Sequence, residues 1–190
     1  MIVGAALMVC ATRTEARAAR RAGLRSSVVG VGAHGPLPEG SLVSFGLAGG
    51  LHDGVACGDV LDATRVVGAG GETLWEGGPL GIAGARRATI LAAEQVIDDP
   101  AERRRLHERT GADAVDMESG VLARSGRLAG CVRAVSDTPS RTLGPLAGTL
   151  DADGRLAWGG IARALAHPRQ TFRSLSGLRL ALRRLGEVAA

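Results

Sequence analysis

The chain contains no lysine and no tyrosine, and it has only two phenylalanines and two tryptophans in 190 residues. All 23 basic residues are therefore arginine, a bias that the base composition of a coding sequence can produce by itself. The formal charge of +4 and the pI near 10.0 are accordingly weak grounds for a nucleic-acid partner. The arginines are not interleaved with aromatics, as a base-stacking platform requires, so no nucleic acid is expected. Cysteine is scarce too: Cys10, Cys57 and Cys131 stand far apart with no C-x-x-C pair. That spacing argues against a zinc site and a disulfide framework, and no metal is expected. Each cysteine lies in or beside an apolar run, which fits free thiols in a reducing cytoplasm. No run approaches the ~20 apolar residues that cross a bilayer. The apolar start lacks a basic stretch before it, so a signal peptide is not expected and the protein is assigned to the cytoplasm.

What is abundant is small and apolar: 29 glycines and 45% hydrophobic residues. This suits an α/β domain with tight turns. Residues 2–10 form a continuous apolar run, the pattern of a strand buried on both faces. Thr12 or Thr14 can cap a helix over 15–22. Further strands are expected at 28–31, 41–45, 59–67, 88–91, 114–115 and 131–135. Residues 68–81, rich in glycine, read as an exposed excursion. Asp98-Asp99-Pro100 starts a charged helix that runs to Thr110 and ends at Gly111. Residues 117–125 read as another helix. Alternating strands and helices predict an α/β fold: a single domain with a central mixed, largely parallel sheet flanked by helices.

That domain is expected to span 1–155, followed by an Arg/Leu-rich helical segment, 156–190, with helices at 156–166 and 168–188. In the second of these, Phe172, Leu175, Leu178, Leu182 and Leu185 recur every three or four residues, with arginines between them. Such a helix packs its apolar stripe on the domain, or it lies on an anionic membrane surface, a peripheral contact at the inner membrane.

Three groups of residues carry chemistry. Gly30-Val31-Gly32-Ala33-His34-Gly35 matches G-x-G-x-x-G, but Pro36 and Pro38 prevent the helix that a dinucleotide site needs. Gly46, Gly49 and Gly50 end an apolar strand, where backbone N–H groups can approach a ligand oxygen, or where the chain simply turns. Glu118 and Asp137 stand at the edges of apolar runs. Alone, each is explicable as a helix first-turn acid or a turn cap.

Taken together, Ser44-Phe45-Gly46-Leu47-Ala48-Gly49-Gly50-Leu51, Gly58-Asp59-Val60, Val115-Asp116-Met117-Glu118-Ser119 and Val132-Arg133-Ala134-Val135-Ser136-Asp137 resemble the nucleoside phosphorylase and nucleosidase superfamily. The resemblance covers most of residues 2–140. It implies that Glu118 accepts hydrogen bonds from the ribose 2′ and 3′ hydroxyls, with Met117 as an apolar contact beside the sugar. Asp137 matches the acid that hydrogen-bonds or protonates purine N7, next to Ser136. Glu15 matches the glutamate that activates water in the nucleosidases. Gly49 and Gly50 complete the substrate loop, and Val96 stands where many members have an aromatic over the purine.

Two departures shape the expectation. Leu47 replaces the usual Ser or Thr beside the nucleophile, leaving Arg13 to contact phosphate. The chain also runs from Val31 to Ser41 without the family's helix. These features are most similar to the hopanoid-associated branch. The implied reaction is release of adenine from a nucleoside with an apolar 5′ substituent, adenosylhopane first, giving ribosylhopane or phosphoribosylhopane. No cofactor is implied beyond inorganic phosphate as a co-substrate. A lipid-linked adenine nucleoside is the expected ligand, and a homo-oligomer the expected assembly. The alternatives are a methylthioadenosine, S-adenosylhomocysteine or futalosine nucleosidase, and a nucleoside-binding protein without catalysis.

Overall fold

Eight strands and four helices follow one another in the computed structural model, which describes residues 6–144 and 168–188. The strands are β1 (Leu7–Cys10), β2 (Ser26–Val28), β3 (Leu42–Gly50), β4 (Val60–Val67), β5 (Thr73–Glu76), β6 (Arg86–Ala92), β7 (Ala114–Asp116) and β8 (Leu128–Asp137). The helices are α1 (Arg13–Arg21), α2 (Pro100–Thr110), α3 (Ser119–Arg124) and α4 (Pro168–Gly186). The strand order is β2-β1-β3-β7-β6-β4-β5, and β8 pairs with both β3 and β4. The circuit β3-β8-β4-β6-β7 therefore closes on itself, and β1–β2 and β5 extend from it. Parallel pairs outnumber antiparallel ones, so the sheet is mixed and largely parallel, as expected.

Local chemistry explains the element ends. Thr12 and Glu15 form a complete capping box on α1. Asp99 caps α2 through the Ala101 N–H, Pro100 fills its first position, and Gly111 closes it in the left-handed region at φ 67°. On one face of the sheet α1 and α4 pack together: Ala16, Ala18 and Ala19 share a cluster with Ala181, Leu185, Met8, Val43, Phe45 and Val132. On the other face, Leu122 and Ala123 of α3 join Leu42, Leu61, Ile90 and Val135. At ~25 cal/mol per Å2, these continuous apolar surfaces supply most of the drive to fold.

Several expectations shift. The excursion contains β5, which pairs antiparallel with β4 because Leu74 and Trp75 are half-buried against the core. Strand β2 ends at Val28, earlier than expected, and Val31–Ala33 is a single 3-10 turn. The glycines do not follow β3 but lie inside it. Cys10 and Cys131 are buried and Cys57 half-buried, all as free thiols; burial pushes the Cys131 thiol up to about 12. Residues 2–5, the expected helix at 156–166 and the expected boundary at 155 lie outside the described residues.

Candidate active site

Strands β3 and β8 run parallel, with Gly46 opposite Arg133 and Gly49 opposite Asp137. Small residues on one strand thus face charged residues on its neighbour. A Cβ at position 46 would lie 2.5 Å from both Arg133 Nη1 and Glu15 Oε1. A Cβ at position 49 would lie 3.2 Å from both Arg103 Nη2 and Asp137 Oδ2. Glycine is required at 46 because two charged side chains converge over it.

At this first end the centre is Arg133, fully buried in β8. It donates to Ser44 Oγ at 2.5 Å and to Asp116 Oδ2, and it lies 3.6 Å from Glu118 Oε2. Its Nε and Nη1 have no hydrogen-bond partner. Burial opposes its charge, but Asp116 and Glu118 hold its pKa above the ordinary arginine value. Glu15, on the inward face of α1, accepts from the Leu47 N–H at 2.9 Å through Oε1. Its Oε2 accepts from the Thr12 N–H at 2.8 Å and the Thr12 hydroxyl at 2.9 Å. The carboxylate that completes the helix cap is the one that faces Arg133.

Glu118 occupies the N-cap position of α3, but its side chain does not cap. Asp116 does so instead, accepting from the Ser119 N–H at 3.0 Å. Released from that duty, Glu118 turns inward and accepts from the Gly32 N–H at 2.9 Å. Burial pushes its pKa up to about 7; Arg133 opposes this, while Asp116 and Glu15 add to it. The glycine-rich stretch 30–35 thus supplies a backbone donor to Glu118.

At the second end Asp137 is 2% exposed. Arg103 of α2, equally buried, donates to its Oδ2. The Ser136 hydroxyl donates to its Oδ1 at 2.5 Å. Burial raises the pKa of Asp137 against the pull of Arg103. The remaining donors of Arg103 are taken: Nε by Ile97 O at 2.7 Å and Nη1 by Gly50 O at 3.4 Å. Asp98 lies 3.7 Å from Arg103 and accepts from the N–H groups of Leu143 and Gly144, both at 3.0 Å.

Both ends open into one cavity of about 370 Å3. Glu15, Gly49, Val96, Met117, Glu118, Ser136 and Asp137 all line it, as do Leu47, Ile97 and Arg103. Gly50 does not line it; the residue sits behind, its carbonyl turned to Arg103. Arg13 is a correction. It lies on the exposed face of α1, because a residue two positions from Glu15 points to nearly the opposite side of a helix. It does not line the cavity. Val96 is 47% exposed at the mouth. Leu178 and Leu182 of α4 form an apolar wall.

Sequence reasoning gave Arg103, Arg133, Asp116 and Gly32 no role. Arg133 had a visible mark, a charge within an otherwise apolar strand. Arg103 had only its place on the helix face shared with Leu106 and Thr110, the buried side of α2.

Among the described residues no helix is long and apolar enough to cross a membrane. No family model matches the chain, and no curated protein matches it in sequence. Solved structures do match. The 5′-methylthioadenosine/S-adenosylhomocysteine nucleosidase of Helicobacter pylori matches with TM-score 0.61 at 14% identity, covering 98% of this chain and 96% of that one. The enzyme of that name from Neisseria meningitidis matches with TM-score 0.59 at 14% identity, covering 96% and 97%. Futalosine hydrolase of Helicobacter pylori matches with TM-score 0.54 at 14% identity, covering 94% and 98%. The chain therefore has the fold of the methylthioadenosine/S-adenosylhomocysteine nucleosidases and futalosine hydrolase.

Proposed function

We propose that this protein hydrolyses the N-glycosidic bond of an adenine nucleoside with an apolar 5′ substituent, adenosylhopane first, releasing adenine and ribosylhopane. The observation that carries this reading is the convergence of Glu15, Glu118 and Asp137 on one cavity. Glu118 accepts from the ribose hydroxyls. As the C1′–N9 bond breaks, its electron pair passes to the purine and Asp137 gives a proton to N7. Glu15 removes a proton from water, whose oxygen bonds to C1′. Burial, which raises the pKa of Asp137, favours the protonated form that this step needs.

Water is a better acceptor than phosphate. Three carboxylates, Glu15, Asp116 and Glu118, surround the single cation Arg133, and Arg13 is turned away. A phosphate dianion would enter a net negative site. Leu47, Ile97, Leu143, Leu178 and Leu182 make the remaining wall apolar, which suits a lipid-linked 5′ group leaving through the mouth. The half-exposed Val96 there offers surface for a second copy, consistent with a homo-oligomer, which light scattering checks.

Adenine release tests the reading, from adenosylhopane and from methylthioadenosine, with and without phosphate. Phosphate-independent release from adenosylhopane is expected, falling roughly 100-fold or more in Asp137→Asn and Glu15→Gln. Release from methylthioadenosine alone would favour a soluble thioadenosine nucleosidase. No release from either substrate, with adenine binding unchanged in Asp137→Asn, would leave a binding protein and sink the enzymatic reading.

A further inference from the structure

Helices α1 and α4 lie side by side on one face of the sheet, joined through Ala16, Ala18, Ala19, Ala181 and Leu185. Their outer faces therefore point the same way. On α1 the outer stripe is Arg13, Arg17, Arg20 and Arg21, spaced at one helical turn, and its acid, Glu15, is buried on the inner side. On α4 the outer residues include Arg179, Arg183 and Arg184, with Phe172 71% exposed and Leu180 41% exposed. The exposed acid here is Glu187, which pairs with Arg183 at 3.0 Å and Arg184 at 3.2 Å. These seven exposed arginines against one glutamate exceed the +4 of the whole chain, so the remaining sequence is net negative. Arginines are exposed elsewhere too, but several stand beside acids: Arg86 by Asp59, Arg104 by Asp53 and Arg105 by Glu102. On the two-helix layer the positive charge is left in excess.

We propose that this layer docks on an anionic lipid bilayer, with the arginines over the headgroups and Phe172 and Leu180 entering the interface. Positive charge alone would fit any polyanion. Phe172 favours a bilayer over a purely charged polyanion, because it is the most exposed large hydrophobic residue described and a bilayer offers it an apolar interior beneath the anionic headgroups. Among the described residues this face offers no second aromatic for stacking bases. A flank of the same helix lines the cavity through Leu178 and Leu182, so a bilayer-borne apolar substrate would be delivered to the wall that receives it. Only that last link rests on the function proposed above; the docking itself does not.

Sedimentation of the full chain with vesicles tests this. Phosphatidylcholine vesicles are compared with vesicles of phosphatidylcholine and phosphatidylglycerol in equal parts. Partitioning roughly tenfold stronger into the anionic vesicles is expected, weakened by high salt. The triple variant Arg17→Glu/Arg21→Glu/Arg179→Glu should lose that preference, and Phe172→Ser should weaken binding several-fold, both with unchanged circular dichroism. Equal partitioning into the two vesicle types overturns the proposal, and so does undiminished anionic binding by the triple variant. Binding to duplex RNA unaffected by Phe172→Ser, with vesicles ignored, overturns it in favour of a polyanion. The readout involves no turnover, so failed docking with intact adenine release removes only this proposal, and the reverse removes only the enzymatic one.

Discussion

The two ends of the cavity each bury one arginine, yet they balance it differently. Arg103 faces Asp137 in a close ion pair with Asp98 3.7 Å away, and its Nε and Nη1 are occupied by backbone carbonyls. Arg133 stands among Asp116, Glu118 and Glu15, while its Nε and Nη1 have no partner. A buried donor without a partner costs about 1–3 kcal/mol. Among the described residues the end with Arg103 has its guanidinium matched by acceptors, whereas the end with Arg133 gathers three acids around a cation that bonds through one nitrogen.

Removing each cation breaks the comparison most directly. Arg133→Met leaves three carboxylates facing one another at full burial, and a loss of about 3–5 kcal/mol is expected in urea denaturation at neutral pH. Arg133→Lys should recover part of the stability but not all of it, since one ammonium cannot serve Ser44, Asp116 and Glu118 as the guanidinium does. A cost within experimental error for Arg133→Met would show that the acids do not depend on this cation. Arg103→Met should cost somewhat less, about 3 kcal/mol, because Asp137 can escape by taking up a proton. The sign is testable. Burial already raises the Asp137 pKa and Arg103 opposes it, so removing Arg103 raises it further. The basic limb of the adenine-release profile should move to higher pH in Arg103→Met. Movement to lower pH would exclude Asp137 as the acid.

How much of this was legible depends on the range of the interaction. Helix α2 was readable from end to end, because Asp99, Pro100 and Gly111 act within one turn of where they stand. The acids Glu15, Glu118 and Asp137 were recognisable as a set, and they do line one cavity. The glycines of β3 read in sequence either as a ligand-approaching strand end or as a turn, because sequence shows their lack of side chains but not what fills the space. That space is filled by Arg133 from β8 and Arg103 from α2. The contact from Gly32 N–H to Glu118 joins residues 86 positions apart, and no local pattern encodes it. Arg103 sits in an Arg-Arg-Arg run that looks solvated, but helix geometry turns its first member inward with Leu106 and leaves the next two outside. Strand β5 was missed because a short pairing at a sheet edge depends on β4 as a template more than on its own composition.

A finer contrast concerns pH. The Glu118 pKa is pushed from 4.5 up to about 7, mainly by burial. A carboxyl whose folded-state pKa is raised contributes stability that is fully present below the unfolded value and lost as pH rises through the folded one. Wild type should therefore lose about 2–3 kcal/mol relative to Glu118→Gln between pH 4.5 and pH 7. Denaturation of both proteins across that window checks it, and parallel stability curves would overturn it. Substrate affinity should run the other way, rising with pH as Glu118 ionises and becomes a full acceptor for the ribose hydroxyls.

The smallest expected effect separates fold from function within one residue. The Thr12 hydroxyl accepts from the Glu15 N–H at 3.3 Å and donates to Glu15 Oε2 at 2.9 Å. Thr12→Ala removes both contacts, and loss of an N-cap costs about 1 kcal/mol. The Thr12 and Leu47 N–H groups still hold Glu15 through backbone bonds. The fold should therefore survive while the carboxylate gains freedom. If Glu15 is the base, turnover should fall several-fold with KM unchanged, because positioning of the nucleophile is lost and binding of the nucleoside is not. Thr12→Ser, which keeps the hydroxyl, should restore both stability and rate. A Thr12→Ala enzyme that loses the 1 kcal/mol yet turns over like wild type would leave the capping box as a purely structural device, and the base would have to be sought elsewhere in the cavity.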